Sequence, residues 1–300
     1  MQSRTRKQAL TEGVIAGIFF GTAAIFTRFL QGLDTLSIVF WRVSIGCLAL
    51  GVLALILRRS FQPPLVRQNF KALLLLGLLL ALHFIFFTAS VMDTTILNAT
   101  VLVNTSPIFS MFISSFVYRL KPSRIALLGL LVSFAGMLVI ALAEATSAKS
   151  TIGGFTPSIK GDLEAVFAAL VEAFYLNYGR KIRTQMSLLS AMLPIYGFVA
   201  IYVAGTSIFI GRAVSPSLLN LGYALPLVGL GLLPTAIAHT LYFSSLSNLK
   251  SFETATLALL EPIGATVLGM AIFGEIPAPL FALGGVLVLI GILFVVGKAS

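Results

Sequence analysis

Five ionisable side chains stand inside long apolar runs of this sequence: Arg42 in "FWRVSIG", His83, Glu172, His239, and Glu261 in "LALLEPIGATVLGM". Two carboxyls, a guanidinium and two imidazoles can hold the charged ends of a small molecule or exchange a proton. Each also has a plainer use. A buried Glu can sit neutral and hydrogen-bonded to a neighbouring helix, and Arg42 can snorkel toward the end of its run or pair with a carboxylate. Other reaction chemistries find little here. The two histidines stand in separate runs, Cys47 is the one cysteine, and no G-x-S-x-G elbow occurs. No metal site, no cofactor and no enzyme activity is expected.

Glu261 is followed at once by Pro262. Proline has no N–H, so within a helix the carbonyl of Ala258 would lose its partner; Pro107 would do the same to Val103. Each break offers backbone oxygen at depth, and the nearby Asn98, Asn104, Thr105 and Ser106 on one side, with Thr254 and Thr256 on the other, would extend a polar lining. Tyr175, Tyr178, Tyr242, Phe86, Phe87 and Phe243 could complete it, or could simply pack. The N-x-S/T matches at Asn98 and Asn104 fall in or beside an apolar run, where chance explains them.

The elements that must carry these residues follow from composition. Apolar residues make up 58% of the chain and charged residues 10%, against about 25% charged in a soluble domain. Mean hydropathy is +1.03. So little charge cannot cover a soluble surface, so most of the surface must face lipid. The net charge of +10 comes from Lys and Arg in short gaps between apolar runs, without the basic face that nucleic acid requires. The N-terminal run lacks an A-x-A-like cleavage site and reads as an uncleaved first span.

Spans need about 20 mostly apolar residues. Ten such stretches occur, at 10–31, 35–57, 70–91, 95–117, 123–143, 161–180, 188–211, 220–246, 252–273 and 278–297. Their length and uniform apolarity suit helices rather than barrel strands. Fifteen Lys and Arg fall in gaps on the side of the N-terminus and four on the other, which predicts both termini in the cytoplasm. By rise per residue, Glu261 lies about 13 Å beyond Phe252 and Glu172 about 16 Å beyond Gly161, so both reach mid-membrane.

The chain also repeats itself. "HFIFFTAS" from His83 matches "HTLYFSSL" from His239, and the stretch from Asn98 matches that from Thr254. After a one-residue gap Pro107 pairs with Pro262, Pro122 with Pro277, Gly129 with Gly284 and Gly136 with Gly291; more weakly, Arg28 pairs with Arg180. The unit is five spans, residues 1–144 and 161–300, joined by a polar linker at 145–160. Copies of an odd unit must lie in opposite orientations, a construction of secondary transporters with the substrate site at the repeat interface. Glycines every four residues (Gly13, Gly17, Gly21), and Gly284, Gly285 and Gly291, predict close helix packing.

The five-plus-five repeat, Arg42 in "FWRVSIG" and "LEPIGATVLGMAIFGE" resemble the EamA-type branch of the drug/metabolite transporter superfamily across the whole chain. That resemblance implies an inner-membrane permease, exporting amino acids or related small metabolites by alternating access, with protons as a candidate coupling ion. A multidrug or organic-cation exporter is the alternative; a non-transporting scaffold or an embedded enzyme are readings from other classes.

Overall fold

The computed structural model describes residues 5–57, 61–146, 158–215, 220–273 and 279–297. Residues 147–157 of the 145–160 linker, the Gly274–Glu275 ending and Pro277 lie outside the described residues. Among the described residues there is no strand. The helices are α1 (Arg6–Arg28), α2 (Thr35–Ile56), a short α3 (Pro63–Gln68), α4 (Phe70–Asp93), α5 (Ile96–Val103), α6 (Ser106–Phe116), α7 (Arg124–Thr146), α8 (Ile159–Arg183) and α9 (Leu188–Phe209). They continue with α10 (Leu221–Leu230), α11 (Thr240–Ser245), α12 (Ser251–Leu257), α13 (Glu261–Phe273) and α14 (Pro279–Gly297). Polar side chains start several of them: the hydroxyls or carboxylates of Thr5, Asp34, Thr95, Ser158 and Ser187 each accept from a backbone N–H three residues on.

Among the described residues, eight stretches are long and apolar enough to cross a membrane: Arg6–Arg28, Thr35–Ile56, Phe70–Asp93, Ile96–Phe116, Arg124–Ala143, Leu188–Phe209, Leu221–Ser245 and Pro279–Gly297. Two expected spans fall outside that set. Helix α8 carries Lys160, Asp162, Glu164, Glu172, Arg180, Lys181 and Arg183, and Ser251–Phe273 is divided into three pieces.

Three interruptions matter. Between α5 and α6 the helix breaks at Asn104–Thr105, and Pro107 becomes the second residue of the new helix, where a missing N–H costs nothing. Between α12 and α13, Ala258–Leu260 tightens into a 3₁₀ turn, and Pro262 is likewise second in α13. The expectation of an unpaired Ala258 carbonyl is corrected here, because that oxygen accepts from the Glu261 N–H. Tightening by one residue supplies the donor that proline lacks. The third interruption, a π-helical stretch over Gly231–His239 that contains Pro234, is not signalled by the repeat.

Packing follows a reciprocal plan. Helix α1 lies against the Leu221–Ser245 stretch and α12–α13; α8 lies against α4 and α5–α6. Helix α2 packs on α9, and α7 on α14. The glycine face of α1 seats on the interrupted segment: a Cβ on Gly21 would meet the Glu261 carbonyl oxygen at 2.8 Å, and Gly13 and Gly17 abut Leu257. In the α7–α14 seam, a Cβ on Gly129 would lie 2.6 Å from the Gly291 oxygen, and one on Gly136 2.7 Å from the Gly284 oxygen. Gly285 departs from its expected role, since a Cβ there meets nothing within 4 Å.

Polar ties join the ends. Arg6 grips the fully buried Glu253 carboxylate through both nitrogens (3.0 and 3.3 Å) and donates to the Val296 carbonyl (2.7 Å). At the opposite end Asp162 accepts from Asn98 Nδ2 (3.0 Å) and Thr94 Oγ1 (2.9 Å). Arg28 donates to the Thr94 carbonyl (3.0 Å), and Arg180 to the Leu249 carbonyl (2.9 Å).

Two alanine substitutions test the seam. Gly136→Ala forces α7 and α14 apart and should cost about 1–3 kcal/mol, read as a lowered melting temperature in detergent. Gly285→Ala should leave it unchanged or slightly raised.

Candidate functional site

The interruptions converge on one buried cavity. Glu261 begins α13, and its Oε2 accepts from Asn104 Nδ2 at 3.0 Å. Asn104 stands at the α5–α6 break and gives its other amide hydrogen to the Thr100 carbonyl (2.8 Å). The two broken segments therefore touch through their break residues. Glu172, on α8, faces the hydroxyls of Ser106 and Tyr242, both of them buried.

Arg42, on α2, is 1% exposed. Its Nε donates to Thr235 Oγ1 (3.1 Å), and its guanidinium carbon lies 4.1 Å from the centre of the Phe84 ring, while Nη1 has no partner. The position of Thr235 has a local cause. Pro234 cannot donate to the Leu230 carbonyl four residues back, and the Thr235 hydroxyl does so instead, at 2.7 Å. Tyr196 Oη fixes the same residue by donating to its carbonyl (2.6 Å). The π-helical stretch thus becomes the support of the arginine.

The histidines meet between these groups. Their rings lie 5.7 Å apart at 69°, and His239 is also edge-on to Phe20 and Phe84, each at 4.7 Å. His83 Nδ1 is 3.1 Å from the Ala168 carbonyl. A carbonyl only accepts, so Nδ1 carries the hydrogen. His239 Nδ1 has no partner.

Arg42, His83, Asn104, Glu172, His239 and Glu261 all line this cavity, whose volume is about 30 Å³. Phe20, Ala23, Phe87, Val103 and Ala258 supply its apolar wall. Such a volume accommodates a water or two, whereas small-molecule sites run to about 300–1,000 Å³. The remaining expected residues stand elsewhere. Asn98 is tied to Asp162 at one end of α8. Tyr175 is buried against Phe243 with its hydroxyl 3.7 Å from Met192 Sδ. Tyr242 is outside the lining, fully buried and edge-on to Phe20, with its hydroxyl beside Glu172. Pro107 and Pro262 hold the breaks rather than the lining.

Thr235, Phe20 and the end residues Arg6, Asp162 and Glu253 were not among the sequence candidates. A Pro-Thr pair inside an apolar run signals Thr235. Phe20 could have been found by register: aligning Arg28 with Arg180 sets Phe20 opposite Glu172.

Thr235→Val keeps the shape but removes both polar contacts. It should destabilise the protein by about 1–3 kcal/mol in detergent melts, while Thr235→Ser, which keeps the hydroxyl, should avoid most of that loss.

Comparison with known proteins places this arrangement. A family model described as "EamA-like transporter family" matches residues 9–142 and again 159–297. The chain is 28% identical to the uncharacterized transporter YdfC of Bacillus subtilis (strain 168), covering 100% of this chain and 94% of that protein. It is 24% identical to the uncharacterized transporter YxxF of the same organism, over 97% of this chain and 90% of that protein. An uncharacterized transporter of Archaeoglobus fulgidus is 26% identical over 93% of each. A crystal structure sharing 19% identity superposes with a TM-score of 0.78, covering 97% of this chain and 96% of its own; at that identity the likeness shows the fold.

Proposed function

The chain belongs to the EamA-like transporter family and is a multi-pass membrane protein, and we propose that it is a secondary-active permease of the cell (inner) membrane. In this reading it exports amino acids or related small metabolites by alternating access. Ten spans form two inverted five-helix repeats, residues 1–144 and 161–300 with a linker at 145–160, and both termini are cytoplasmic. The reciprocal packing supports the inversion: α1 lies on the second half's segments as α8 lies on the first half's. The arginine ties support it too, since Arg28 and Arg180 each grip the turn after the third helix of their own half.

The observation that carries the reading is the polar cavity where the broken segments of both halves meet, about 30 Å³ in volume. Arg6–Glu253 fastens one end and Asp162–Asn98–Thr94 the other. A conformation fastened at both ends is an occluded step of a cycle, and opening either tie would enlarge the cavity toward that side. The small-molecule substrate and the lipid bilayer are its partners, protons are the proposed coupling ion, and no catalytic role is assigned.

The second reading, an organic-cation exporter, is favoured by two carboxylates and several aromatic rings around one cavity. Proteoliposomes loaded with unlabelled amino acids should show counterflow of the labelled ones, and tetraphenylphosphonium should compete only if the second reading holds. Glu261→Gln should abolish the proton dependence of that flux. Unchanged pH dependence in the variant removes the coupling role and leaves the permease standing.

A further inference from the structure

The cavity's charges are divided between the two halves. The first half supplies the guanidinium of Arg42, on α2; the second supplies the carboxylates of Glu172, on α8, and Glu261, on α13. The positions that match those carboxylates in the first half are Phe20 and Ser106, so the division is not a product of the repeat. Arg42 also stands without a counter-ion. The described ion pairs are Arg6–Glu253, Lys160–Asp93 and Lys160–Glu164. Its Nε hydrogen bonds a neutral hydroxyl, its plane covers Phe84, and Nη1 is buried without a partner.

A cation at that depth without an anion is costly. Its remaining donors match the two oxygens of a carboxylate. At the other pole Glu172 stands beside the buried hydroxyls of Ser106 and Tyr242, and Glu261 accepts from the Asn104 amide, so neither carboxylate has a cation for a partner.

Resting on the permease reading above, we infer that the substrate is dipolar and spans the two halves, its carboxylate on Arg42 and its ammonium on Glu172 and Glu261. Arg42 is then the residue that selects against simple cations, because an amine without a carboxylate leaves the guanidinium unpaired and adds a like charge to the cavity. Binding energy is collected only when both halves hold the same molecule, which ties loading to their relative position.

The test uses the purified full-length chain and three matched trios: leucine with 3-methylbutylamine and 4-methylpentanoate, phenylalanine with 2-phenylethylamine and 3-phenylpropanoate, alanine with ethylamine and propanoate. In at least one trio the zwitterion should bind about ten- to a hundredfold tighter than either analogue. Arg42→Gln should bring the zwitterion down to the level of its amine without changing the amine. Glu172→Gln with Glu261→Gln should bring it down to the level of its acid. Arg42→Lys, which keeps the charge, should recover part of the difference, and melting curves of each variant verify folding.

Amines binding as tightly as zwitterions, or Arg42→Gln weakening all three members alike, overturns the inference. Failure of every trio to bind also overturns it. In that case counterflow of tetraphenylphosphonium decides the rest: flux leaves the permease standing as a cation exporter, and no flux of any of these compounds removes the permease reading as well.

Discussion

Within a bilayer a helix that is interrupted must find new partners for the backbone groups it releases, because no solvent will supply them. Among the described residues this chain interrupts helices three times within apolar stretches, and each repair places a functional candidate. The break at Asn104–Thr105 leaves a side-chain amide that returns to the Thr100 carbonyl and reaches forward to Glu261. The 3₁₀ turn at Ala258–Leu260 closes on the Glu261 N–H and so fixes where that carboxylate starts its helix. The π-helical stretch brings the Thr235 hydroxyl to the Leu230 carbonyl and leaves its oxygen for Arg42. Asn104 and Glu261 also line the cavity, and Thr235 holds Arg42, which does.

Much of this was legible in the sequence, and the reasons are specific. Charged gaps and apolar runs marked the helices within a few residues, because length and polarity are what a membrane selects. Pro107 and Pro262 located two interruptions, since proline removes a donor wherever it stands in a helix. The six polar cavity residues could be nominated because ionisable or amide groups in apolar runs are rare enough to stand out. Which of them would meet was a different matter. Asn98 and Asn104 looked alike along the chain, yet one is tied to Asp162 at a helix end and the other to Glu261 in the cavity.

What stayed hidden was of two kinds. Arg6, Glu253 and Asp162 lie where helices emerge, and charges there are ordinary, so nothing in the sequence separated these three from the rest. Their roles depend on segments more than sixty residues away. The π-helical stretch was hidden because Pro234 has no counterpart in the first half of the repeat, and repetition was the strongest signal available. The same asymmetry gives the cavity its two electrical poles. Duplication supplies a symmetrical frame, and the charges are the places where the copies have gone separate ways.

Helix α1 has a mechanical consequence. Its 23 residues make a rod about 34 Å long. One tip is bonded to Glu253, its glycine face bears on the Leu257–Glu261 segment beside the cavity, and its other tip is bonded to the Thr94 carbonyl. A rod cannot be pushed at its middle without moving at its tips. Any displacement of the Glu261 backbone is therefore transmitted as leverage to bonds at both faces of the molecule.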